Sequence, residues 1–296
     1  MLLKSLYYSF ALPRGCFLVE GGLCLWPVLF KKMLYHDTKI IMMIPEPAFN
    51  WRNRSAFKNS ILRFLFNEVD YFIPISTLVA EDLNFYTREK KPFSIVHHFP
   101  TVDIHTLLKI QPGQGKNILF VINRPQETGV TKGLDIVFKS FDLIYRVDPQ
   151  FQLYLIGSGT EDLDVSGFAS RQNIHLEGYR DIIDYCKRCQ IVIAPARYDA
   201  FPLAIVEGCL AGQIPLISDI TGAKEFVGQV NSRLVVEELN PTAYAERVME
   251  IYSWSIQERR AVTDALRQKA SIFTRDHAKS ELEKAFQDIK SRGIIS

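Results

Sequence analysis

Short apolar runs alternate along the chain with longer segments whose apolar positions recur at helical spacing. In the first third, the apolar runs predict four strands: Cys16–Val19, Lys39–Ile44, Tyr71–Ile75 and Phe93–His97. Helices are predicted between them at Ser55–Asn67 and at Thr77–Tyr86. Such alternation is typical of βαβ units built around a parallel sheet.

A second series of the same kind follows a connection rich in proline and glycine, Pro100–Gly115. Its predicted strands are Asn117–Ile122, Gln152–Ile156, Ile174–Glu177, Ile191–Ala194, Ile214–Ser218 and Ser232–Val235. Its predicted helices are Gly133–Val147, Asp181–Arg188, Leu203–Ala211 and Ala223–Val227, and the pattern stays helical from Pro241 onward. The pattern therefore predicts an α/β fold with two Rossmann-like units in series and a helical tail.

Composition excludes several classes of protein. The 296 residues are 47% hydrophobic and 23% charged, which is ordinary for a globular chain with room for two domains. A net charge of +2 gives no support for a nucleic-acid partner. The most apolar stretch, Cys16–Phe30, contains Glu20 and Pro27 and is shorter than the roughly 20 residues that span a bilayer. We therefore expect neither a signal peptide nor a transmembrane helix, and a cytoplasmic location.

The chain has five cysteines, an odd number at scattered positions, so they do not indicate a framework of disulfides. This favours a reducing compartment. Cys186 and Cys189 have the spacing of half a zinc site, but no second pair lies at a matching distance. Buried helical thiols explain them better, and no metal is expected.

Basic and aromatic residues gather in the first third, including Trp26, Lys31, Lys32, Trp51, Arg52 and Arg54. Two interpretations remain open. The residues form a solvated rim of the domain, or they form a surface that contacts anionic lipid at the inner face of a membrane.

Ligands of open parallel sheets bind beyond the carboxyl ends of the strands, so the loops there are the candidate site. Arg124 and Lys132 flank a polar segment, interpreted as a loop, and together suit a diphosphate. Two further loops hold paired glycines and exposed polar groups: Gly157, Gly159, Gly178, Tyr179 and Arg180. Each of these is either a plain turn or a backbone surface that contacts a ligand.

The most informative loop begins at Pro195 and leads through Phe201 and Pro202 into a helix. The N–H groups of Leu203 and Ala204, at the start of that helix, form a predicted anion site. Asp199 and Glu207 point at the same crevice, where carboxylates accept hydrogen bonds from sugar hydroxyls. Because Glu207 interrupts an apolar helix, it is expected to be buried and to need a partner, either in the protein or in a ligand.

Together these loops resemble the retaining family-4 glycosyltransferases of GT-B fold, from about Val69 to the C-terminus. The most specific part is Tyr198–Pro215, where Asp199 and Glu207 flank seven residues and a helix of small residues leads through Gly212 into the next strand. Lys132–Asp135 resembles the family's basic phosphate-binding segment, and Arg124 stands where its partner arginine is expected.

The resemblance implies two Rossmann-like domains facing across a cleft: a shortened acceptor domain over 1–108, a donor domain over 109–275, and a C-terminal helix over 276–296 that packs back on the first. It implies that Arg124 and Lys132 hold the donor diphosphate, with Leu203 and Ala204. Glu207 would bind ribose and Asp199 the sugar, with Gly178–Arg180 along the base. No metal or other cofactor is implied.

This sequence departs from the family's pattern in two places. Asp199 replaces the usual glutamate, and the N-terminal domain is short, with no glycine-rich loop before Pro13 and no histidine after Lys39–Ile44. Glu46 occupies that acceptor-side position. A partner chain that completes the N-terminal domain is therefore one hypothesis.

Three functions are compatible with these residues. The first is sugar transfer from a nucleotide-sugar to a carbohydrate or lipid-linked acceptor, as in cell-surface polysaccharide or glycolipid synthesis. The second is a non-catalytic or partner-dependent nucleotide-sugar-binding subunit. A nucleotide-sugar 2-epimerase ranks last, because it needs additional acid–base groups in the cleft.

Overall fold

The computed structural model describes residues 14–44, 55–113 and 115–295, and it has the α/β architecture with parallel sheets that the sequence predicts. Two compact units are present. The first comprises Met1–His98 with Arg275–Ser296, and the second comprises Phe99–Thr274. The sequence had placed the corresponding boundaries after residues 108 and 275.

The first unit contains a parallel sheet that has the order β1-β2-β3 over its described residues. Its strands are β1 (Cys16–Glu20), β2 (Lys39–Ile44) and β3 (Tyr71–Pro74). Its helices are α1 (Gly21–Leu34), α2 (Ala56–Asn67), α3 (Thr77–Tyr86) and, from the C-terminus, α12 (Arg275–Ser291). The Ser55 and Ser76 side chains accept N–H bonds in the first turns of α2 and α3, which fixes where these helices begin.

The C-terminal helix α12 contributes to the core of this first unit. Ala285 and Ile289 pack in one buried cluster with Tyr71 and Ile73 of β3. At the rim of the cluster, the Tyr71 hydroxyl donates a hydrogen bond to Asp288 Oδ2 at 2.7 Å. Burial of the apolar face that carries Ala285 and Ile289 fixes the position of the helix, since the remaining surface of the helix is mostly polar.

Phe93–His97 is not a regular strand, although it runs beside β3. Phe93 forms an isolated parallel bridge with Phe72, and the N–H of Val96 donates to the carbonyl of Pro74 at 3.0 Å. Pro74 has no N–H group and cannot donate back, so the hydrogen-bond ladder is interrupted.

The structure alters the proposed basic surface of the first unit. Residues Gly21–Leu34 form a helix that the sequence analysis missed, and within it Lys31 is 4% exposed with its ammonium 4.6 Å from the Tyr35 ring centroid. Lys32 forms a 2.8 Å ion pair with Asp70. Neither lysine is a free surface cation. Glu46, Trp51, Arg52 and Arg54 lie outside the described residues.

The second unit contains a parallel sheet of order β6-β5-β4-β7-β8-β9 in the described part of the chain. Its strands are β4 (Asn117–Val121), β5 (Gln152–Ile156), β6 (Ile174–Leu176), β7 (Ile191–Ala194), β8 (Ile214–Ser218) and β9 (Val235–Val236). Its helices are α4 (Ile104–Leu108), α5 (Pro125–Lys132), α6 (Leu134–Val147), α7 (Ile182–Arg188), α8 (Leu203–Ala211), α9 (Lys224–Val230), α10 (Pro241–Ser253) and α11 (Ile256–Ala270).

Three local predictions in this unit were wrong. The connection Pro100–Gly115 contains helix α4, and the segment between Arg124 and Lys132 is helix α5 rather than a loop. The predicted strand Ser232–Val235 begins as a 3₁₀ turn, because the Asn231 side chain accepts from the Arg233 N–H at 3.0 Å.

The cysteines of the second unit are free thiols buried in its core. Burial raises the pKa of the Cys186 thiol to about 12, which makes it unreactive. Within the described ranges, no group of three or more His, Cys, Asp or Glu side chains is arranged to hold a metal ion. Nor do these ranges contain a helix with the length and hydropathy needed to cross a bilayer.

Candidate functional site

The candidate site lies where the order of the second sheet reverses. From β4 the chain builds outward through β5 to β6, and it then returns to the other side of β4 as β7. A cavity of about 280 Å³ opens beyond the carboxyl ends of these two central strands. Crevices at such a switch point are the usual ligand sites of open α/β sheets. Residues predicted from the sequence line this cavity: Arg124, Lys132, Asp199, Pro202, Leu203 and Ala204.

Arg124 occupies a strained position directly after β4. It precedes α5 with φ of 52°, a left-handed conformation that is uncommon for residues other than glycine. Its N–H donates to the Ser158 carbonyl at 2.8 Å, which ties this turn to the loop after β5. The guanidinium is exposed and lies 3.2 Å from Glu127, so the weak surface pair leaves it free to bind a ligand.

Lys132 and Asp199 form an ion pair at the floor of the cavity. Lys132 Nζ donates to Asp199 Oδ2 at 2.5 Å, and the aspartate side chain is 11% exposed. An ammonium group has three N–H donors, so this lysine can bind a ligand oxygen while it stays paired. The sequence analysis assigned the two residues to different parts of the donor; the structure places them in direct contact.

Gly133 lets the segment carrying Lys132 approach the loop after β7. Its φ is 75°, and a Cβ atom here would lie 1.9 Å from the Pro195 carbonyl oxygen. No side chain fits in this space. The glycine therefore determines the distance between Lys132 and the loop that carries Asp199.

A second contact between the same segments comes from Arg197. Its guanidinium donates to both carboxylate oxygens of Asp135 at 2.7 and 2.9 Å, and also to the Val130 carbonyl at 2.7 Å. These hydrogen bonds hold the pKa of the Asp135 carboxyl below its ordinary value. Val130 lies in α5 and Asp135 in α6, so the hydrogen bonds of Arg197 hold the junction of these two helices. Because the junction carries Lys132 and the loop of Arg197 carries Asp199, the bidentate pair aligns the two residues.

The backbone of Asp199 is held from its other side by the loop after β8. Its N–H donates to the Ile220 carbonyl at 3.2 Å, and its carbonyl accepts from the Gly222 N–H at 2.8 Å. The Ser218 hydroxyl donates to the Ala196 carbonyl at 2.6 Å. Asp199 is thus fixed by main-chain contacts as well as by its ion pair.

The N-terminus of α8 opens onto the cavity. Pro202 is the residue before the helix rather than its first residue, and among the described residues the N–H groups of Leu203 and Ala204 have no acceptor. Such groups favour an anion. Phe201, predicted to bind the donor, instead packs against Phe273 with ring centroids 5.1 Å apart, and its side chain is buried away from the cavity.

Glu207 is 9% exposed inside α8, as the sequence predicts for a polar residue in an apolar helix. It does not line the cavity. Burial, together with the nearby charge of Asp181, raises its pKa to about 7. No hydrogen bond or ion pair joins its carboxylate to the residues that the structure describes, and its oxygens keep some contact with solvent, since they are not among the fully buried unpaired atoms. Of the two kinds of partner that the sequence leaves open, the protein partner is therefore not found among the described residues.

The predicted glycines form a junction between loops rather than the lining of the cavity. A Cβ atom at Gly157 would lie 2.0 Å from the Ile122 carbonyl oxygen, and the Gly157 N–H donates to the Gly178 carbonyl at 2.8 Å. Tyr179 is 76% exposed and Arg180 is also at the surface. Asp181, which follows them and caps α7, contributes its charge to the raised pKa of Glu207.

Sequence analysis missed four residues that build the site: Asn123, Thr128, Asp135 and Arg197. Asn123 and Thr128 line the cavity, and Asn123 Oδ1 accepts from the Ser158 N–H at 3.0 Å. A signal for α5 was present, since Pro125 stands at its first position and Glu127 in its first turn. The Asp135–Arg197 pair left no local signal, because its partners lie far apart in the chain.

Comparison with protein families gives a match over more than half of the chain. The family model described as glycosyl transferases group 1 matches residues 108–269, which include every described residue of the cavity. A curated relative, an uncharacterized glycosyltransferase of Methanocaldococcus jannaschii, is 25% identical over 126 residues. That match covers 40% of this chain and 34% of the relative, so the chain spans about a third of the relative's length.

Solved structures share the fold over nearly the whole chain. A sucrose-phosphate synthase of Thermosynechococcus elongatus has a TM-score of 0.72 at 12% identity, covering 98% of this chain and 77% of its own. A UDP-forming α,α-trehalose-phosphate synthase of Burkholderia vietnamiensis has a TM-score of 0.73 at 12% identity, covering 100% and 77%. A glycosyltransferase of Rickettsia africae has a TM-score of 0.66 at 15% identity, covering 97% and 80%.

Proposed function

The chain belongs to the group 1 glycosyltransferase family, and we propose that it transfers a hexosyl group from a nucleotide-sugar donor to an acceptor hydroxyl with retention of anomeric configuration. One observation carries this proposal. Arg124, Lys132 and the free N–H groups at the start of α8 surround one cavity at the switch point of the second sheet. Their shared preference is for an anionic group.

The diphosphate of the donor is the anion that suits this cavity. Its volume of about 280 Å³ lies at the lower limit of pockets that enclose a whole organic ligand, so it accommodates the diphosphate and part of the sugar. The Arg124 guanidinium offers a planar fork of donors, and Lys132 adds a point charge beside Asp199. Asp199 then contacts the transferred sugar, with its position fixed by the loop after β8.

The nucleoside lies towards Glu207. A buried carboxylate without a protein partner is stabilised when ribose hydroxyls donate hydrogen bonds to it. The neighbouring Gly178–Arg180 loop provides exposed backbone and the Tyr179 ring for the base. This assignment gives the Glu207 carboxylate the hydrogen-bond donors that the described residues do not supply.

The chemical step that we propose breaks the bond between the anomeric carbon and the diphosphate oxygen. The acceptor oxygen forms its bond to the anomeric carbon on the same face, and the acceptor proton passes to the departing phosphate oxygen. Arg124, Lys132 and the α8 N–H groups stabilise the negative charge that develops on the nucleoside diphosphate. In this scheme fixed cations and backbone groups stabilise the leaving group, and no metal ion takes part.

We further propose a carbohydrate or lipid-linked acceptor, used in polysaccharide or glycolipid synthesis at the cytoplasmic face of a membrane. The supporting observation is on α2, where Phe57 and Phe64 are 74% and 61% exposed two turns apart, and where Arg63 is also at the surface with its guanidinium over the Phe85 ring. Apolar and basic groups on one helix suit the surface of anionic lipid. Sedimentation with anionic vesicles should therefore weaken for a Phe57→Ser/Phe64→Ser variant, while Val147→Ser, at another exposed apolar position, serves as the control.

The proposed function is tested with a panel of nucleotide-sugars. Binding of the correct donor should raise the melting temperature, because it stabilises the native state alone. Arg124→Ala and Lys132→Ala should weaken binding of the nucleoside diphosphate strongly and of the nucleoside little. Equal losses for both ligands, in variants that fold normally, would contradict the assignment of the cavity.

Product analysis then distinguishes the two functions that remain. Transfer with a retained anomeric configuration supports the enzyme. Donor binding without hydrolysis or transfer by the purified chain supports a partner-dependent binding subunit. If no nucleotide-sugar binds, both fail.

A further inference from the structure

A second cavity, of about 400 Å³, lies at the amino ends of strands in the second sheet, opposite the carboxyl ends where the donor site lies. Its lining includes Gln190 and Ile214, at the amino ends of β7 and β8, and Gln111 from the segment before β4. Pro112 and Gly212 also line the cavity, and the rest of its wall is one face of α11. The cavity is therefore separated from the donor site by the length of the central strands, and none of its lining residues has a role in the proposed transfer.

Helix α11 makes this cavity strongly basic. Three arginines line it, and one aspartate: Arg259, Arg260, Arg267 and Asp264. Guanidinium groups on one concave face repel each other and attract anions, since a cavity concentrates the potential of the charges around it.

The Arg267 guanidinium is bound to backbone carbonyls of the protein. Its guanidinium donates to the carbonyls of Ile110 at 2.5 Å, Ala211 at 3.0 Å and Leu210 at 3.2 Å, which closes the C-terminal end of α8. A cation at the C-terminus of a helix is favourable for the helix dipole. Arg267 therefore adds charge to the cavity but has few donors left for a ligand.

Arg259 and Arg260 keep most of their donors. Arg259 donates one long hydrogen bond, 3.3 Å, to Gln190 Oε1. The Arg260 Nε atom lies 3.9 Å from Asp264, and its side chain is 83% exposed, so that pair is weak. A guanidinium has five N–H donors in a planar fork that matches the oxygens of a phosphate. Two such forks at one cavity favour a phosphate dianion over a single carboxylate.

We propose that this cavity, lined by α11, is a second binding site that takes a phosphorylated small molecule, with Arg259 and Arg260 on the phosphate. The volume of about 400 Å³ exceeds what a phosphate needs and leaves room for its organic part. The Gln111 amide is also on the wall and suits the hydroxyl groups of a sugar phosphate, and the Thr263 hydroxyl, which donates to the Arg260 carbonyl at 3.0 Å, can still accept from one. Because this cavity lies at the opposite ends of the strands from the donor site, we assign to it an effector rather than a substrate of the transfer.

Calorimetric titration of the whole chain with inorganic phosphate, pyrophosphate and glucose 6-phosphate tests the site, with sodium chloride at matched ionic strength. Arg259→Ala/Arg260→Ala should weaken glucose 6-phosphate binding roughly tenfold or more, as expected for two charge-assisted contacts. Lys269→Ala is the matched control: it removes a cation from the same helix, but the residue does not line the cavity. It should change binding less than about twofold.

The Lys132→Ala variant distinguishes this site from the donor cavity, because phosphate groups suit both. Binding that survives Lys132→Ala and is lost in the double arginine variant supports the second site. Binding that is lost with Lys132→Ala and kept in the arginine variant belongs to the donor cavity and overturns the proposal. Equal weakening by Lys269→Ala, or no saturable binding of any probe, also overturns it. A single Arg260→Ala change, at an exposed side chain, provides a folded variant if the double change destabilises the chain.

Discussion

Two parts of the second unit, the loop after β7 and the helix α8 that follows it, hold their acidic side chains in opposite ways. In the loop, Asp199 is 8% exposed and pairs with Lys132 at 2.5 Å. In the helix, Glu207 is 9% exposed, has no partner among the described residues, and has a pKa raised to about 7. The two residues have almost the same exposure, so the exposed fraction alone does not distinguish them.

The difference is whether the protein itself completes the electrostatic environment of the carboxylate. At Asp199 the positive charge comes from Lys132, which Gly133 and Arg197 align with it. At Glu207 burial acts first, and the like charge of Asp181 adds to it. A buried carboxylate without a partner is destabilising, so Glu207 destabilises the ligand-free protein. Hydrogen bonds from ligand hydroxyls would remove this cost.

The largest effect should follow from replacing the glycine that brings Lys132 to the loop. In Gly133→Ala, the new Cβ would lie 1.9 Å from the Pro195 carbonyl oxygen, at a φ of 75°. We expect a loss of unfolding free energy of about 4 kcal/mol or more, the upper range for single substitutions. Urea denaturation measures it. Gly167→Ala is the control, since its Cβ meets no atom within 4 Å, and it should change stability by less than about 0.5 kcal/mol.

The next largest effect should come from removing the cation. Lys132→Ala leaves the Asp199 carboxylate buried without its partner, and we expect a loss of about 2–3 kcal/mol, reduced from the value for fully buried pairs because the lysine is one-third exposed. In an Asp199→Asn background the same change should be milder, with a coupling of about 1 kcal/mol or more. Additive losses would show that the ion pair does not stabilise this loop.

The sequence predicts the parts of the site that depend on local pattern. The strands β4, β5, β7 and β8 follow from apolar runs, and the start of α8 follows from a proline after a polar loop. These features need no knowledge of distant residues. They are sufficient to bring Arg124, Lys132 and Asp199 to one edge of the sheet.

The remaining features depend on contacts between distant segments. The Lys132–Asp199 ion pair and the Arg197–Asp135 hydrogen bonds join residues more than sixty positions apart, so no periodicity reveals them. Phe201 occurs in the same loop as the site residues, yet it packs among phenylalanines from α9 and from the segment after α11. The loop was predicted as a unit, whereas its side chains point in different directions.

A smaller effect, opposite in sign for stability and for binding, is expected from Glu207→Gln. Removing the buried charge should stabilise the free protein at pH 8 by about 1–3 kcal/mol, because the carboxylate is no longer forced to ionise in an apolar helix. The same change should weaken nucleotide-sugar binding about 10- to 100-fold, through the loss of charge-assisted hydrogen bonds to ribose. Thermal melts and calorimetry measure the two effects. A variant that binds the donor normally would exclude Glu207 from the nucleoside site.

The smallest predicted effect is the pH dependence that Glu207 introduces. Its folded pKa of about 7 lies above its ordinary value of 4.5, so the native state holds a proton that the unfolded chain has lost. Its contribution to stability is therefore fully present below pH 4.5 and is lost as the pH rises through about 7. Ribose hydroxyls donate more strongly to the ionised carboxylate than to its protonated form, so binding should change in the opposite direction and strengthen by up to about tenfold between pH 6 and pH 8. The titration should use a nucleoside. A nucleoside has no phosphate group, so no phosphate of the ligand titrates in this pH range. Glu207→Gln should bind the nucleoside weakly and without this pH dependence. If the wild type shows a flat profile, or if the variant keeps the slope, the titrating group is another residue, and the contrast between the two carboxylates loses its functional meaning.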